Sequence, residues 1–287
     1  MAFYGCKFTF DGVSCDEHQL MIYNVGNSQQ GQTEFAHTVS IQDEVVGNHW
    51  KPLFFGVTYE NKLEGEIVFG LNQERIDRQE HLTRQEMANI SSWLAGHQDY
   101  KWLEIEQDDL IGIRYRCMVT ELKVVETDGV PWAFSAVFTC DSPYAYRYPE
   151  TYTYAVEGDL EVEFDNKSDH NGYYYPVVTL ASSTYALTDE VDNVLTEETS
   201  KVLTTGGTFS IENITDGRTM TFNGLPTDMP TVTIDCEHGV ISASTQENMY
   251  KYFNFRFLRL KRGLNKLRFT GNGAVAITCE FPVSVGM

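Results

Sequence analysis

Residues 82–96, LTRQEMANISSWLAG, predict the one helix that stands out in this chain. Thr83 and Glu86 can form a capping box, in which the Thr83 hydroxyl accepts from the Glu86 N–H and the Glu86 carboxylate accepts from the Thr83 N–H. Gly96 supplies a left-handed stop, so we expect the helix to run from about Arg84 to Ala95. Its apolar stripe is expected to pack on a sheet rather than on a partner, and it consists of Met87, Ile90, Trp93 and Leu94.

Outside this helix the sequence pattern indicates short strands separated by turn residues, which predicts a mainly β fold. In the first half, Leu53 to Tyr59, the turn-like segment 60–62 and Glu66 to Phe69 suggest a β-hairpin. In the second half, residues 160–164 alternate between apolar and acidic side chains, as on a half-buried strand. Many further short strands and no long helix predict a β-sandwich of jelly-roll type there.

The two halves are expected to be separate domains. Strand character ends at Asp141-Ser142-Pro143-Tyr144, and Tyr148-Pro149-Glu150 cannot easily continue a strand. We therefore place the boundary at this point, with one domain at residues 1–148 and the other at 149–287. The length of 287 residues fits two domains of about 100–200 residues each.

Composition and charge exclude several classes of protein. The chain carries 41 acidic and 21 basic residues, a net charge of −20, and a surface of that sign cannot bind nucleic acid through counterion release. No apolar run approaches the roughly 20 residues of a membrane span, and the N-terminus lacks the basic and apolar regions of a signal peptide. We therefore expect a soluble protein made in a cytoplasm, with its six cysteines as reduced, mostly buried thiols.

Nothing in the sequence indicates catalysis, a cofactor or a metal. There is no G-x-S-x-G elbow, P-loop, H-E-x-x-H or dinucleotide fingerprint. Residues 15–18, CDEH, bring four possible ligands together, but neighbours on a strand or turn point in different directions. The acidic run 189–198 lacks the ligand spacing of an EF-hand. Glu161 and Glu163 fit a solvated strand face better than a glycosidase pair. We expect no enzyme, and no catalytic, cofactor-binding or metal-binding residue.

Two clusters of side chains allow a second interpretation. The segment Lys251–Arg268 carries seven basic residues and no acidic one. It forms either a patch for phosphate or an acidic partner or, as we favour, a counterweight to the acidic strand 157–165, with Phe253, Phe255 and Phe257 alternating inward. Tyrosines within 144–154 and 173–175 could stack on sugar rings or on another protein, although packing in the core and linker is the favoured interpretation.

Several segments, taken in their order and spacing, resemble one known family. In the first half they are Leu82–Glu86, Trp93–Gly96, Tyr100–Leu103, the strand pair around Tyr115–Val125, and Phe134–Tyr144. In the second half they are Asn171-Gly172 before Pro176, Phe209–Asn213 before Asp216-Gly217, and Phe257–Leu260 before Gly263-Leu264-Asn265. Over nearly its whole length, the chain is similar to the siphophage distal tail (Dit) proteins.

This resemblance implies a structural role in a phage tail. Dit proteins have an N-terminal belt domain, a β-sandwich with one helix and a β-hairpin that forms a hexameric ring, and a C-terminal galectin-like β-sandwich outside the ring. The ring joins the tail tube to the tip or baseplate. The resemblance therefore implies a homohexamer at the virion tail tip, assembled in the bacterial host cytoplasm, in contact with the tail tube protein and a tail-associated tip or hub protein. The resemblance also implies that DNA passes through the lumen without specific binding and that no membrane is involved.

A closed ring needs two different patches on each subunit. The predicted hairpin is the candidate for one of them, through Leu53, Phe55, Val57, Tyr59, Ile67 and Phe69. An acidic subunit suits a lumen that repels phosphates, so we expect the lumen to be net negative. The main alternative is a carbohydrate-binding or host-adhesion module. Further alternatives are another tail component, such as a tube or minor tip protein, and an enzyme that degrades cell-wall glycan.

Overall fold

A computed structural model describes residues 6–23, 39–47, 50–59, 62–181, 208–224, 231–244 and 248–286. It is 56% strand and 12% helix, which confirms the mainly β class. The chain divides into two compact units, Met1–Tyr148 with Pro282–Met287 and Pro149–Phe281. The acidic segment 189–198 lies outside the described residues.

The elements of both units follow in chain order. The first unit has the helices α1 (Gln73–Asp77) and α2 (Arg84–Leu94) and the strands β1 (Phe8–Phe10), β2 (Val13–Ser14), β3 (Leu20–Ile22), β4 (Val39–Glu44), β5 (Leu53–Tyr59), β6 (Glu64–Leu71), β7 (Lys101–Ile105), β8 (Ile113–Thr127), β9 (Val130–Cys140) and β10 (Ala145–Arg147). The second unit has β11 (Glu150–Asn166), β12 (Val177–Ala181), β13 (Thr208–Asn213), β14 (Arg218–Asn223), β15 (Thr231–Asp235), β16 (Val240–Ala243) and β17 (Gly263–Cys279). The last strand is β18 (Pro282–Val283).

The core of the first unit lies between an antiparallel sheet and helix α2. The sheet has the order β2-β1-β7-β8-β9-β6-β3, and β10 joins it through β8. Ile90 and Leu94 of the helix are buried in one cluster with the sheet residues Phe8 and Phe69, whose rings meet edge to face at 5.2 Å. The apolar stripe of the helix therefore packs on the sheet, as the spacing of its side chains suggests.

The C-terminal segment returns to the first unit. Strand β18 pairs with β10, and the Tyr115 hydroxyl donates a hydrogen bond of 2.9 Å to the Gly286 carbonyl. The sequence pattern assigns all of 149–287 to the second domain, whereas the structure groups 282–287 with the first. A boundary inferred from turn residues cannot reveal such a return, because the partners are more than 130 residues apart in the chain.

The hairpin predicted from Leu53–Tyr59 and Glu66–Phe69 is wrong. Strand β5 pairs with β4, and these two form a separate two-stranded sheet among the described residues. Strand β6 instead pairs with β9 and β3 inside the large sheet. Alternating side chains identify a strand, but they do not identify the strand with which it pairs.

Helix α2 is preceded by a second, five-residue helix that the sequence pattern does not predict. The Asn72 side chain caps α1 by accepting from the Arg75 N–H at 3.1 Å. Arg75 is only 6% exposed, and its guanidinium lies 2.6 Å from Glu80 and 2.9 Å from Glu86. The helix has fewer than two turns, so its apolar periodicity is too short to be recognised.

The second unit is organised by a long antiparallel ribbon. Strands β11 and β17 pair without interruption from Glu150–Cys279 to Asn166–Gly263. The other edge of β17 pairs with β13 through residues 267–270 and with β12 through 274–278. Both groups of strands contribute to one apolar core, which is the arrangement of a β-sandwich.

Glycines lie where the ribbon passes from one group of strands to the other. Gly158 is directly opposite Gly271, and both have positive φ angles, of 79° and 132°. A Cβ on Gly271 would lie 2.7 Å from the Phe209 ring and 3.0 Å from the Thr208 carbonyl oxygen. Gly271 is therefore required by both its backbone conformation and the close approach of β13.

None of the helices in the described ranges is long and apolar enough to cross a membrane. Of the cysteines, Cys6 is exposed, and the other five are buried: Cys15, Cys117, Cys140, Cys236 and Cys279.

Candidate assembly surface

The hairpin of β4 and β5 carries the largest exposed apolar side chains of the first unit. Its register pairs Asp43 with Phe54 and Gln42 with Gly56, so Phe55 is an extra residue on β5. Such a β-bulge shifts the alternation of side chains by one position. After the shift, one face of the hairpin is mainly apolar, and we call it the hairpin face. It contains Val39, Ile41, Phe54 and Val57, with Asp43 opposite Phe54 at one end.

The hairpin face is open to solvent. Ile41 is 63% exposed and Phe54 is 67% exposed, and Val39 and Val57 are exposed as well. The opposite face is more polar, and there the Gln42 amide donates a 2.6 Å hydrogen bond to the Thr58 hydroxyl. The connection between the two strands adds Trp50, which is 88% exposed.

An uncovered apolar hairpin is a marginal structure in water. Two strands alone are rarely stable without a third strand or a packed face. A contiguous exposed apolar patch on a soluble protein marks a surface that contacts something else. Within the described part of the chain, no strand pairs with the hairpin. These observations identify the hairpin face as the candidate assembly surface of the first unit.

The structure separates the residues that the sequence pattern grouped as a ring interface. Ile67 and Phe69 lie on β6 and are buried in the core, so they cannot contact a partner. Leu53 lies on the polar side of the bulged hairpin, opposite the hairpin face, and Phe55 is the bulged residue itself. Val57 belongs to the hairpin face, whereas the side chain of Tyr59 lies outside the described residues.

The structure also shows the interactions at the start of helix α2. The Thr83 hydroxyl accepts from the Glu86 N–H at 3.2 Å, and the Glu86 carboxylate accepts from the Thr83 N–H at 2.8 Å. Desolvation raises the pKa of Glu86, but the hydrogen bonds from Thr83 and the charge of Arg75 outweigh it, so that its pKa lies below the usual value. The same carboxylate therefore caps α2 and ties it to α1.

Trp93 and Met87, the other two residues of the apolar stripe of α2, also pack against the sheet of the first unit. The Trp93 indole N–H donates to the Phe10 carbonyl at 3.1 Å, and its ring stacks on Phe8 at 5.6 Å. Met87 is partly buried against the same core. The helix thus uses its apolar side within its own unit.

Ion pairs confirm that the basic segment 251–268 balances acidic residues of its own unit. Lys266 lies 2.6 Å and Arg268 2.5 Å from the Glu161 carboxylate, on the acidic strand β11. Arg259 forms a two-pronged pair with Asp216 at 2.6 and 3.2 Å. The hydrogen bonds from Lys266 and Arg268 lower the pKa of Glu161. These cations are therefore not a vacant patch for phosphate.

The tyrosines are held by neighbours within their own units. Tyr148 donates to Glu104 at 2.5 Å, and Tyr173 donates to Asp216 at 2.9 Å beneath the Arg259 guanidinium. Tyr152 packs edge to face against Phe164 at 4.8 Å. Phe255, in contrast, is 63% exposed, so it does not face inward as the alternation predicts. Its backbone is left-handed, with a φ of 57°.

No group of three or more potential metal ligands occurs among the described residues. In the segment 15–18, Cys15 is buried in the core, and burial raises the pKa of its thiol. Asp16 forms an ion pair with Lys7 instead of facing a shared site with its neighbours.

Comparison with known proteins places these features in a family. A family model described as a phage tail protein N-terminal domain matches residues 3–142, and one described as a phage tail C-terminal domain matches residues 180–279. The chain belongs to this family of phage tail proteins. No curated protein matches the sequence significantly.

Solved structures show that this phage tail protein has a Dit-like fold. The crystal structure of the Dit protein of phage SPP1, described as a paradigm of the hub adsorption apparatus in phages that infect Gram-positive bacteria, matches with a TM-score of 0.61. It shares 11% identity, and the match covers 96% of this chain and 98% of that one. A chain of the phage P2 baseplate, in its activated conformation with calcium, matches with a TM-score of 0.50 and 8% identity over 93% and 92% of the two chains.

Proposed function

We propose that this phage tail protein is a Dit-like hub, of which six copies close into a ring that joins the tail tube to the tail tip or baseplate. The observation that carries the proposal is the Dit-like fold of a phage tail family member over 96% of its length. The first unit corresponds to the ring-forming belt domain in this proposal, and the second to the galectin-like domain outside the ring.

The hairpin face supports ring closure. A ring of identical subunits uses a head-to-tail interface, in which one patch of a subunit meets a different patch of its neighbour. In this role, Ile41, Phe54 and Val57 leave water when the neighbour covers them. Burial of each such side chain stabilises an interface by about 1.5–3 kcal/mol. The bulge at Phe55 orients Phe54 and Val57 toward the same side.

The charge of the chain supports the passage of DNA. Attractive contacts between cations and phosphates would hold the duplex, and their strength would depend on salt. A subunit with 41 acidic and 21 basic residues can present a repulsive lumen, so the genome passes without specific binding. The basic segment 251–268 is engaged by acidic neighbours and adds little attraction.

The proposed partners follow from this position in the tail. They are five further copies of the chain, the tail tube protein on one side of the ring and a tail-associated tip or hub protein on the other. The ring assembles in the cytoplasm of the bacterial host and functions at the tail tip of the virion. Its role is structural, and the proposal includes no enzymatic step and no contact with a membrane.

Mass photometry of the purified chain tests the ring and its interface together. We expect particles of six times the 32.7 kDa of one chain. Phe54→Asp places a charge on the hairpin face and shifts the distribution to single chains. Ile111→Asp is the matched control, because Ile111 is 82% exposed in the same unit but lies outside the hairpin. A wild-type chain that stays monomeric, or two variants that behave alike, contradicts the interface.

A second candidate function is carbohydrate binding by the second unit, and Phe255 is the observation that favours it. Its ring has Tyr250 at 6.1 Å and Phe253 at 5.9 Å but is still 63% exposed, so it can stack on the apolar face of a sugar. A left-handed backbone is uncommon in a bulky residue, and such strained residues cluster at ligand-binding and switch sites. Saturable binding on a glycan array that Phe255→Ala abolishes supports this candidate. Absence of binding by the wild-type chain removes it.

A further inference from the structure

We infer that Cys117 and Cys140 form a site for a reversible disulfide that joins β8 to β9. The two residues lie directly opposite each other in the antiparallel register of these strands. Both side chains are fully buried, and Cys117 makes a side-chain hydrogen bond with Cys140. The two thiols are therefore already in contact in the folded chain.

The backbone hydrogen bonds show that the pair has suitable spacing. The Cys140 N–H donates to the Leu63 carbonyl at 2.8 Å, and the Asp141 N–H donates to the Arg116 carbonyl at 2.9 Å. The backbone hydrogen bonds between β8 and β9 therefore join the neighbouring residues Arg116 and Asp141, and not Cys117 and Cys140 themselves. In such a non-hydrogen-bonded pair the Cα atoms are about 4.5 Å apart and the side chains approach closely. This spacing falls within the range of about 4.4–6.8 Å found for disulfides.

The other cysteines lack this arrangement. Cys6 is exposed, and Cys15 lies in a 3₁₀ turn. Cys279 is opposite Glu150 in the ribbon, and Cys236 follows the end of β15. Among the strand pairs of the described residues, Cys117 and Cys140 alone place two cysteines opposite each other. A specific linkage is therefore expected instead of random pairing.

A hydroperoxide supplies the oxidant for this reaction. One thiolate attacks the peroxide oxygen, which gives a sulfenic acid and, after protonation of the leaving oxygen, one water from hydrogen peroxide. The second thiol then attacks the sulfenic sulfur, forms the S–S bond and releases a second water. The two thiols lose two electrons and two protons, and one hydrogen peroxide becomes two waters. A dithiol reductant reverses the reaction by thiol–disulfide exchange.

The environment of the pair determines how fast it reacts. The mutual hydrogen bond, followed by desolvation, raises the pKa of the Cys117 thiol. Because the thiolate is the reactive form, oxidation of the folded chain is slow at neutral pH and accelerates at alkaline pH. Once formed, the bond restricts the unfolded chain between β8 and β9 and raises the melting temperature of the first unit.

Peptide mapping of the full-length chain tests the site. The Cys6→Ser background removes the exposed thiol, and the five remaining thiols are counted by alkylation in denaturant before and after treatment with hydrogen peroxide. We expect the count to fall from five to three, with one linked peptide pair that contains Cys117 and Cys140. Dithiothreitol restores all five thiols. The linked protein is expected to melt at a higher temperature than the reduced one.

Two variants distinguish this linkage from general oxidation. Cys140→Ala leaves Cys117 without its partner, so the linked peptide and the rise in melting temperature both disappear. Cys236→Ala is the matched control, because it removes a different buried thiol and retains the linkage. The inference is overturned if all five background thiols stay alkylatable, or if Cys117 is found linked to another cysteine. It concerns the chain itself, so its outcome does not depend on whether six copies form a ring.

Discussion

At the scale of single residues, the most informative side chain is Glu86. It accepts the N–H of Thr83 and also pairs with the nearly buried Arg75. The capping box was predictable from sequence because it depends on four consecutive residues and local hydrogen bonds. The ion pair with Arg75 was not, because it requires a second helix that the sequence pattern does not indicate. The inward orientation predicted for Phe255 is wrong for a similar reason, since alternation assumes an extended backbone and this residue has a positive φ.

We expect Thr83→Ala to lower the free energy of unfolding of the first unit by about 1 kcal/mol, because one capping hydrogen bond is lost. Thr83→Ser retains the hydroxyl and is the matched control. Tryptophan fluorescence during urea unfolding reports this unit alone, since all four tryptophans, at positions 50, 93, 102 and 132, lie in it. Equal midpoints for the alanine and serine variants would mean that the cap contributes nothing.

At the scale of elements, the length and type of many strands were predictable, but their partners were not. Strand β5 begins and ends where the pattern of Leu53–Tyr59 places it. Its partner β4 has only two apolar side chains, Val39 and Ile41, so it gives a weak signal. The bulge at Phe55 then moves Leu53 off the apolar face, and only the register reveals this. Among the described side chains that strict alternation predicts for the interface, Val57 is therefore the one that belongs to the hairpin face.

The ribbon of the second unit makes its own prediction. Gly271→Ala forces a Cβ to within 2.7 Å of the Phe209 ring and should destabilise β13 and β17. Gly263→Ala is the matched control, because Gly263 lies on the same strand with a positive φ of 78° but has open space around it. We expect hydrogen exchange in peptides of β17 to accelerate more in the Gly271 variant. Equal acceleration in both variants would attribute the effect to backbone conformation alone.

At the scale of the whole molecule, family and fold agree. The chain belongs to a family of phage tail proteins, and its Dit-like fold matches a solved structure over 96% of the chain. The composition excludes nucleic-acid binding through a basic surface, and the net charge of −20 suits the proposed passage of DNA. The return of β18 to the first unit was beyond the reach of sequence patterns, because a two-residue strand carries no periodicity.

The central claim is that six first units close side by side around an opening that duplex DNA can cross. Electron cryomicroscopy of the purified particle measures this directly. We expect a sixfold ring whose hairpin faces are covered by neighbouring subunits and whose lumen is net negative. First units that remain apart, an unbroken filament, or a hole lined by lysine and arginine would contradict the account.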